Sequence, residues 1–158
     1  MNLEQLGLFG VFLGGAIPWL EAIVVVPGGI LIGLDPLLTV VFAVTGNAIT
    51  IFLFAFGGSK IRSWMLKRRV SKGKTDESPR IAKAQRSFDR WGIYGLAILG
   101  PLVIGTQFAA LVAVAGSVKP LKASVVITTA TIFWATLIAL AFVVAGFDGI
   151  PGFDDPNN

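Results

Sequence analysis

Four long apolar blocks, residues 6–34, 37–58, 92–118 and 121–147, limit what this chain can fold into more than any other feature. A helix crosses the roughly 30 Å hydrocarbon core of a bilayer with about 20 apolar residues, and each block reaches or exceeds that length. Only 14% of the 158 residues are charged, and the mean hydropathy is +0.79. A soluble domain carries about 25% charged residues, so this chain lacks the side chains to cover a wet surface. An all-α integral membrane protein is the reading. Residues 1–147 form a single transmembrane domain in it, and 148–158 a flexible acidic tail. The leading MNLEQLG has no Lys or Arg, so the first block is expected to be retained rather than cleaved as a signal peptide.

Charge sets the topology. Eleven of the thirteen basic residues lie between Lys60 and Arg90 with only Asp76, Glu77 and Asp89, a net +8. Elsewhere Lys119 and Lys122 stand against Glu4, Glu21, Asp35, Asp148, Asp154 and Asp155, a net −4. The positive-inside rule places residues 59–91 in the cytoplasm of a multi-pass protein of the bacterial inner (plasma) membrane. A loop this basic also suggests nucleic acid, but flanking membrane blocks are sufficient reason for the charge, and no nucleic-acid partner is expected. Ser78-Pro79 reads as an N-cap followed by Pro at the first helical position. Beyond it Ile81, Ala84, Phe88 and Trp91 recur at helical spacing, while Arg80, Lys83, Arg86 and Arg90 share another stripe. Such a helix can lie on an anionic leaflet with its aromatic side inserted, or simply be a solvated face.

Two of the four blocks are interrupted. Block 6–34 holds Gly14-Gly15, Pro18, Glu21 and Pro27-Gly28-Gly29; block 92–118 holds Gly100-Pro101, Gly105, Thr106 and Gln107. Blocks 37–58 and 121–147 are nearly clean. If the interrupted blocks are re-entrant hairpins and the clean ones spans, Lys119 and Lys122 fall inside with the other basic residues, and Glu4, Asp35 and the tail fall outside. Four full spans would reverse both placements, so the hairpin model agrees better with the rule. The halves also resemble each other: GLFG (7–10) parallels GIYG (92–95), and GLDPLL (33–38) parallels GSVKPLK (116–122). The expected architecture is two inverted repeats, each a re-entrant hairpin plus a transmembrane helix, joined by the basic loop.

Candidate functional residues follow from that arrangement. Glu21 is the only acid inside an apolar block, and a carboxyl there can take up and release a proton as its surroundings change. Its alternative role is to hydrogen-bond backbone exposed by Pro18. Pro18, Pro27-Gly28-Gly29, Gly100-Pro101 and Gly105 are the expected re-entrant turns, where exposed carbonyls and amides bind polar groups or merely let helices approach. Thr106 and Gln107 sit at the second tip, where polar side chains face a cavity. Asn47 pairs with Glu21 or with exposed backbone, or joins helices. Arg90 attracts an anionic head group or anchors the chain at the membrane edge. Thr128, Thr129, Thr131 and Thr136 are expected to satisfy their own helix or pack against neighbours. Without cysteine or histidine the chain has no disulfide, thiolate or His-based chemistry. No paired carboxylates or metal set is apparent, the acidic tail matches no calcium loop, and neither enzyme activity nor a cofactor is expected.

Several segments carry a resemblance: AIPWLEAIVVVPGGILIGLDP (16–36), TGN (45–47), F-x-R-W-G-x-x-G (Phe88, Arg90, Trp91, Gly92, Gly95) and GPLVIGTQ (100–107). In this order the chain, over about residues 6–146, resembles the bacterial small multidrug export protein family, a relative of the DedA-type membrane proteins. The resemblance implies export of small toxic compounds. For DedA-type relatives it implies re-entrant hairpins and movement of a lipid carrier such as undecaprenyl phosphate. Departures exist: Ile23 stands where the family has Arg, Val103-Ile104-Gly105-Thr106-Gln107 where Pro-Gly-Thr-Gly is expected, and Gly100 where DedA-type proteins carry an intramembrane Arg. An anionic lipid would want that Arg. The expectation is therefore a proton-coupled exporter of hydrophobic or cationic compounds, with Glu21 as coupling group and Thr106 and Gln107 facing it. A lipid translocase or scramblase receiving phosphate at Arg90 is the alternative, and a scaffold built on the basic loop a third class. Anionic membrane lipids at the loop and a second copy of the chain are the expected partners.

Overall fold

The structure is a computed structural model and describes residues 3–58, 60, 67–68 and 79–147. Those residues are mostly helical, with no strand among them: α1 (Leu3–Ala16), α2 (Glu21–Leu31), α3 (Pro36–Phe56), α4 (Pro79–Leu99), a π-helical turn (Gly100–Ile104), α5 (Thr106–Ala115) and α6 (Pro120–Val144). Helices α3 and α6, 21 and 25 residues with mean hydropathy 2.2 and 2.1, are long and apolar enough to cross a membrane. Only 28% and 22% of their apolar windows are buried, whereas the core helix of a soluble protein is mostly covered. Large apolar side chains such as Leu37, Leu53, Phe56, Val103, Leu121 and Phe133 lie exposed. The chain is a membrane protein: its outer surface is suited to lipid rather than water. Helices α1, α2 and α5 have 14, 11 and 10 residues, roughly 21, 16 and 15 Å at 1.5 Å per residue, and none is long enough to span alone.

Local chemistry explains most boundaries. Pro36 occupies the first position of α3, and the Asp35 carboxylate caps it by accepting the Leu38 N–H at 2.8 Å. Helices α2, α5 and α6 end in one motif, in which a left-handed residue lets the following N–H reach back five residues. The three bonds are Leu34 N–H to Gly29 O, Val118 N–H to Ala113 O and Phe147 N–H to Phe142 O, at 3.1, 3.0 and 3.0 Å. The left-handed residues are Gly33, Ser117 and Gly146, with φ of 86°, 68° and 75°. The chain order of backbone events therefore recurs: positive φ at Glu21, at Gly33, then Pro36 opening a long helix; positive φ at Gly105, at Ser117, then Pro120 opening another. Each pair is 84 residues apart.

Two expected turns are not formed. Pro27-Gly28-Gly29 lies inside α2, which continues to Leu31. Pro27 removes the hydrogen bond to the carbonyl four residues back, that of Ile23, and its ring crowds that carbonyl, but the helix continues past it. Gly29 is required by contact rather than by a turn, because a Cβ there would lie 2.5 Å from Thr39 Cγ2 and 3.2 Å from Val11 Cγ2. Likewise Gly100-Pro101 does not turn the chain but opens the π-helical turn, closed by Gly105 N–H to Gly100 O at 2.7 Å. The break comes afterwards, at Gly105, with φ 104° and ψ 135°. The first block is interrupted where Pro18 sits, at residues 17–20.

The described residues fall into two compact units. One comprises residues within 1–48 and 131–158: α1, α2, the first part of α3 and the last part of α6. Its core is Leu8, Val11, Ala22, Val26, Ile30, Leu34, Ala43, Ala135 and Ala139. Here α1 and α3 meet backbone to backbone. A methyl on Gly15 would strike the Ala43 carbonyl oxygen, and one on Gly46 the Phe12 carbonyl oxygen. Small residues at a crossing are how helices gain contact in lipid, where burial of apolar surface drives nothing.

The other unit, residues 49–130, holds the end of α3, α4, the π turn, α5 and the first part of α6. Helix α5 is apolar all round and buried from Thr106 to Ala113, among Ile51, Ala55, Ile93, Leu96, Ala123 and Ile127. Phe54 and Phe108 meet edge to face, centroids 6.3 Å apart. Helix α4 bends sharply at Gly92, whose φ 63° and ψ −160° are conformations essentially restricted to glycine. The expected aromatic stripe divides there: Phe88 is half-buried and Trp91 is exposed. Ser78, the side chains of Ile81 and Ala84, much of the basic loop and the acidic tail lie outside the described residues.

Candidate functional site

In the first unit, helix α1 ends at Ala16 and the chain makes one tight turn. The Ile17 carbonyl accepts both Leu20 N–H and Glu21 N–H, at 3.1 and 3.3 Å. Glu21 then adopts φ 50°, a left-handed conformation costly for a residue with a Cβ, and starts α2. Its side chain is only 6% exposed and is the one buried charged group among the described residues. Leu20 provides no side-chain cap for the first turn of α2, whose free N–H groups favour a negative group nearby. Asn47, in the same unit, is fully buried one residue beyond the Gly46 crossing.

In the second unit, Thr106 and Gln107 open α5 directly after the Gly105 break, and both are fully buried. The Thr106 hydroxyl donates to Gln107 Oε1 at 3.1 Å, and Gln107 Nε2 donates to Thr50 Oγ1 at 3.1 Å. This neutral chain of hydroxyl, amide and hydroxyl joins α5 to α3. Buried polar groups of this kind persist when they are paired, and they offer a desolvated polar substituent defined donors and acceptors.

The structure thus brings Thr106 and Gln107 together, adds Thr50, and places Glu21 and Asn47 in the other unit. Arg90 belongs to neither buried set: it is exposed, with its guanidinium 5.3 Å from the Trp91 ring centroid. Pro18 lies in the first break and Gly105 at the second, whereas Pro27, Gly28, Gly29, Gly100 and Pro101 lie in helical backbone. Nothing in the sequence singles out Thr50, which lies three positions past Asn47. Two further buried hydroxyls, Thr39 and Ser124, gave no signal among their apolar neighbours; neither oxygen has a hydrogen-bond partner. Thr129 satisfies its own helix by donating to the Val125 carbonyl at 2.9 Å. Thr128 does not: its Oγ1 is buried without a hydrogen-bond partner, which leaves packing against neighbours as its role.

Chemically, the described interior offers one carboxyl and a set of neutral amides and hydroxyls, with no Lys or Arg buried beside them. A carboxyl in that setting holds a proton or a cation, not an anion. Comparison with curated proteins and with solved structures returns no match. The family model described as "Putative small multi-drug export protein" matches residues 21–138, which include Glu21, Asn47, Thr50, Arg90, Thr106 and Gln107. With 118 of its 158 residues covered by that match, the chain belongs to the small multidrug export protein family.

Proposed function

We propose that this membrane protein is a proton-coupled exporter of small hydrophobic cations, with Glu21 as the group that exchanges proton for cargo. The observation that carries the reading is the placement of Glu21: a buried carboxyl in left-handed backbone at the break between two short helices. Strain of this kind costs of order 1–3 kcal/mol and persists where the site uses it. In the cycle, ionised Glu21 holds the cation by charge. Proton uptake neutralises the carboxyl and removes that attraction, so the cation leaves; proton loss on the other side restores the site. Helices α1 and α2, each too short to span, form a membrane-embedded hairpin at residues 17–20. The π turn and α5 form another at Gly105. The protein sits in the bacterial plasma membrane with its basic loop in the cytoplasm, on the positive-inside rule. Among the described residues no buried cation is available to an anionic lipid phosphate, which favours a cationic cargo over a lipid carrier.

The test is uptake of ethidium into inverted membrane vesicles energised by a pH gradient. Glu21→Gln is expected to abolish gradient-driven uptake at unchanged membrane content. Glu21→Gly, which suits the left-handed backbone, is expected to do the same at unchanged membrane content. Undiminished uptake by both variants would sink the proposal.

A further inference from the structure

The first limb of α4, residues 79–91, has two sides with different surroundings, and both belong to the second unit. Inward, Phe88 fits against Gly116 in the turn between α5 and α6. A methyl on Gly116 would overlap the ring, since even Phe88 Cδ1 lies 3.0 Å from its position. Outward, Lys83, Arg86 and Arg90 are exposed at spacings of three and four, the repeat of one helix face. Gly92 then bends the chain away from this limb, and after it Ile93, Leu96 and Ala97 are buried in the core. No atom lies within 4 Å of a Cβ built on Gly92, so the bend, not crowding, demands glycine.

A second element brings further cations to the same surface. Lys119 and Lys122 are exposed at the start of α6, immediately beyond the turn that Phe88 covers. The Lys122 ammonium lies 5.9 Å from the Tyr94 ring centroid, as Arg90 lies 5.3 Å from that of Trp91. Both rings are themselves exposed, at 62% and 59%, and the neighbouring Leu121 is 60% exposed. Asp89, the acid on this limb, is engaged by the Gln85 amide at 2.9 Å. Exposed cations over exposed aromatic rings, with bare leucine beside them, match the head-group layer of a bilayer: charge for phosphates, rings for the interface, alkyl for the acyl chains. Nucleic acid or an acidic protein would match the charge but leave the rings and Leu121 unmatched.

We infer that the first limb of α4 and the start of α6 together form a docking surface for anionic phospholipid, held as one piece by Phe88 on Gly116. The surface is independent of the transport reading, because it uses none of the buried residues. The experiment reconstitutes the full chain in vesicles of phosphatidylcholine and phosphatidylglycerol in equal parts. The association of spin-labelled phosphatidylglycerol relative to spin-labelled phosphatidylcholine is then measured by electron spin resonance. The native protein is expected to select phosphatidylglycerol. Selection should fall severalfold in K83Q/R86Q/R90Q and also in K119Q/K122Q, and roughly tenfold or more with all five replaced. In the unaltered protein, ~1 M salt shortens the screening length to about 3 Å and should remove most of the selection, a readout that needs no variant to fold. Selection untouched by salt would overturn the inference, and so would loss confined to one of the two groups of cations. Retention on immobilised RNA or an acidic peptide, without lipid selection, would overturn it as well.

Discussion

The crossing of α1 and α3 makes Gly46→Ala the sharpest structural test. A Cβ built on Gly46 lies 3.0 Å from the Phe12 carbonyl carbon and 3.1 Å from the Ala16 nitrogen, and closer still to the Phe12 oxygen. Carbon–oxygen contacts between helices ordinarily settle near about 3.3–3.6 Å, so α1 has to retreat by roughly 1.5 Å. The obstacle is backbone, which cannot rotate away as a side chain would. Overpacking of this sort costs about 1–3 kcal/mol. For a chain of this size that corresponds to a fall in melting temperature of roughly 2–4 °C per kcal/mol. Gly15→Ala meets the Ala43 carbonyl in the same crossing, so once one methyl has parted the helices the second finds room already made. The double variant should therefore be less damaged than the sum of the two, with coupling of about 0.5 kcal/mol or more. Gly28→Ala is the control: the same change in α2, with nothing within 4 Å of the new methyl, should be neutral or stabilising by up to about 1 kcal/mol from helix propensity. The assay is thermal unfolding in one detergent, followed by circular dichroism. Gly46→Ala within about 0.5 kcal/mol of the native protein, or strict additivity with Gly15→Ala, would refute the backbone contact.

Two further outcomes follow from local geometry and are read by the same melts. Ser117 occupies, at φ 68°, the left-handed helix-end position that Gly33 and Gly146 fill with glycine. Ser117→Gly should therefore stabilise by about 0.5–1 kcal/mol and Gly33→Ser should destabilise by a similar amount; the same sign for both swaps would contradict the assignment. Gln107→Leu removes the amide between the Thr106 and Thr50 hydroxyls, and the loss of its two hydrogen bonds should cost about 1–3 kcal/mol. Adding Thr50→Val should cost less than the sum of the two single changes, and strict additivity would mean the two side chains do not act as a pair.

What could be read from the chain alone was whatever depends on near neighbours. Hydropathy over twenty residues requires helices in lipid, and the acyl-chain environment then forbids unpaired backbone, so α3 and α6 follow from their own composition. Pro18 stops α1 because its ring excludes the helix locally, and Asp35-Pro36 starts α3 for equally local reasons. Glu21 stood out because a carboxylate among apolar residues is a cost visible in any context. Tertiary structure decided which glycines turn the chain and which let another helix approach. Gly29 packs on Thr39 and leaves α2 unbroken, whereas Gly105 takes the break that Gly100-Pro101 had suggested. It also supplied Thr50 as the partner of Gln107, 57 residues away, and the left-handed backbone under Glu21. A missing Cβ looks the same in sequence whether it frees a dihedral angle or makes room for a carbonyl. Only the atoms brought against it from distant parts of the chain distinguish the two.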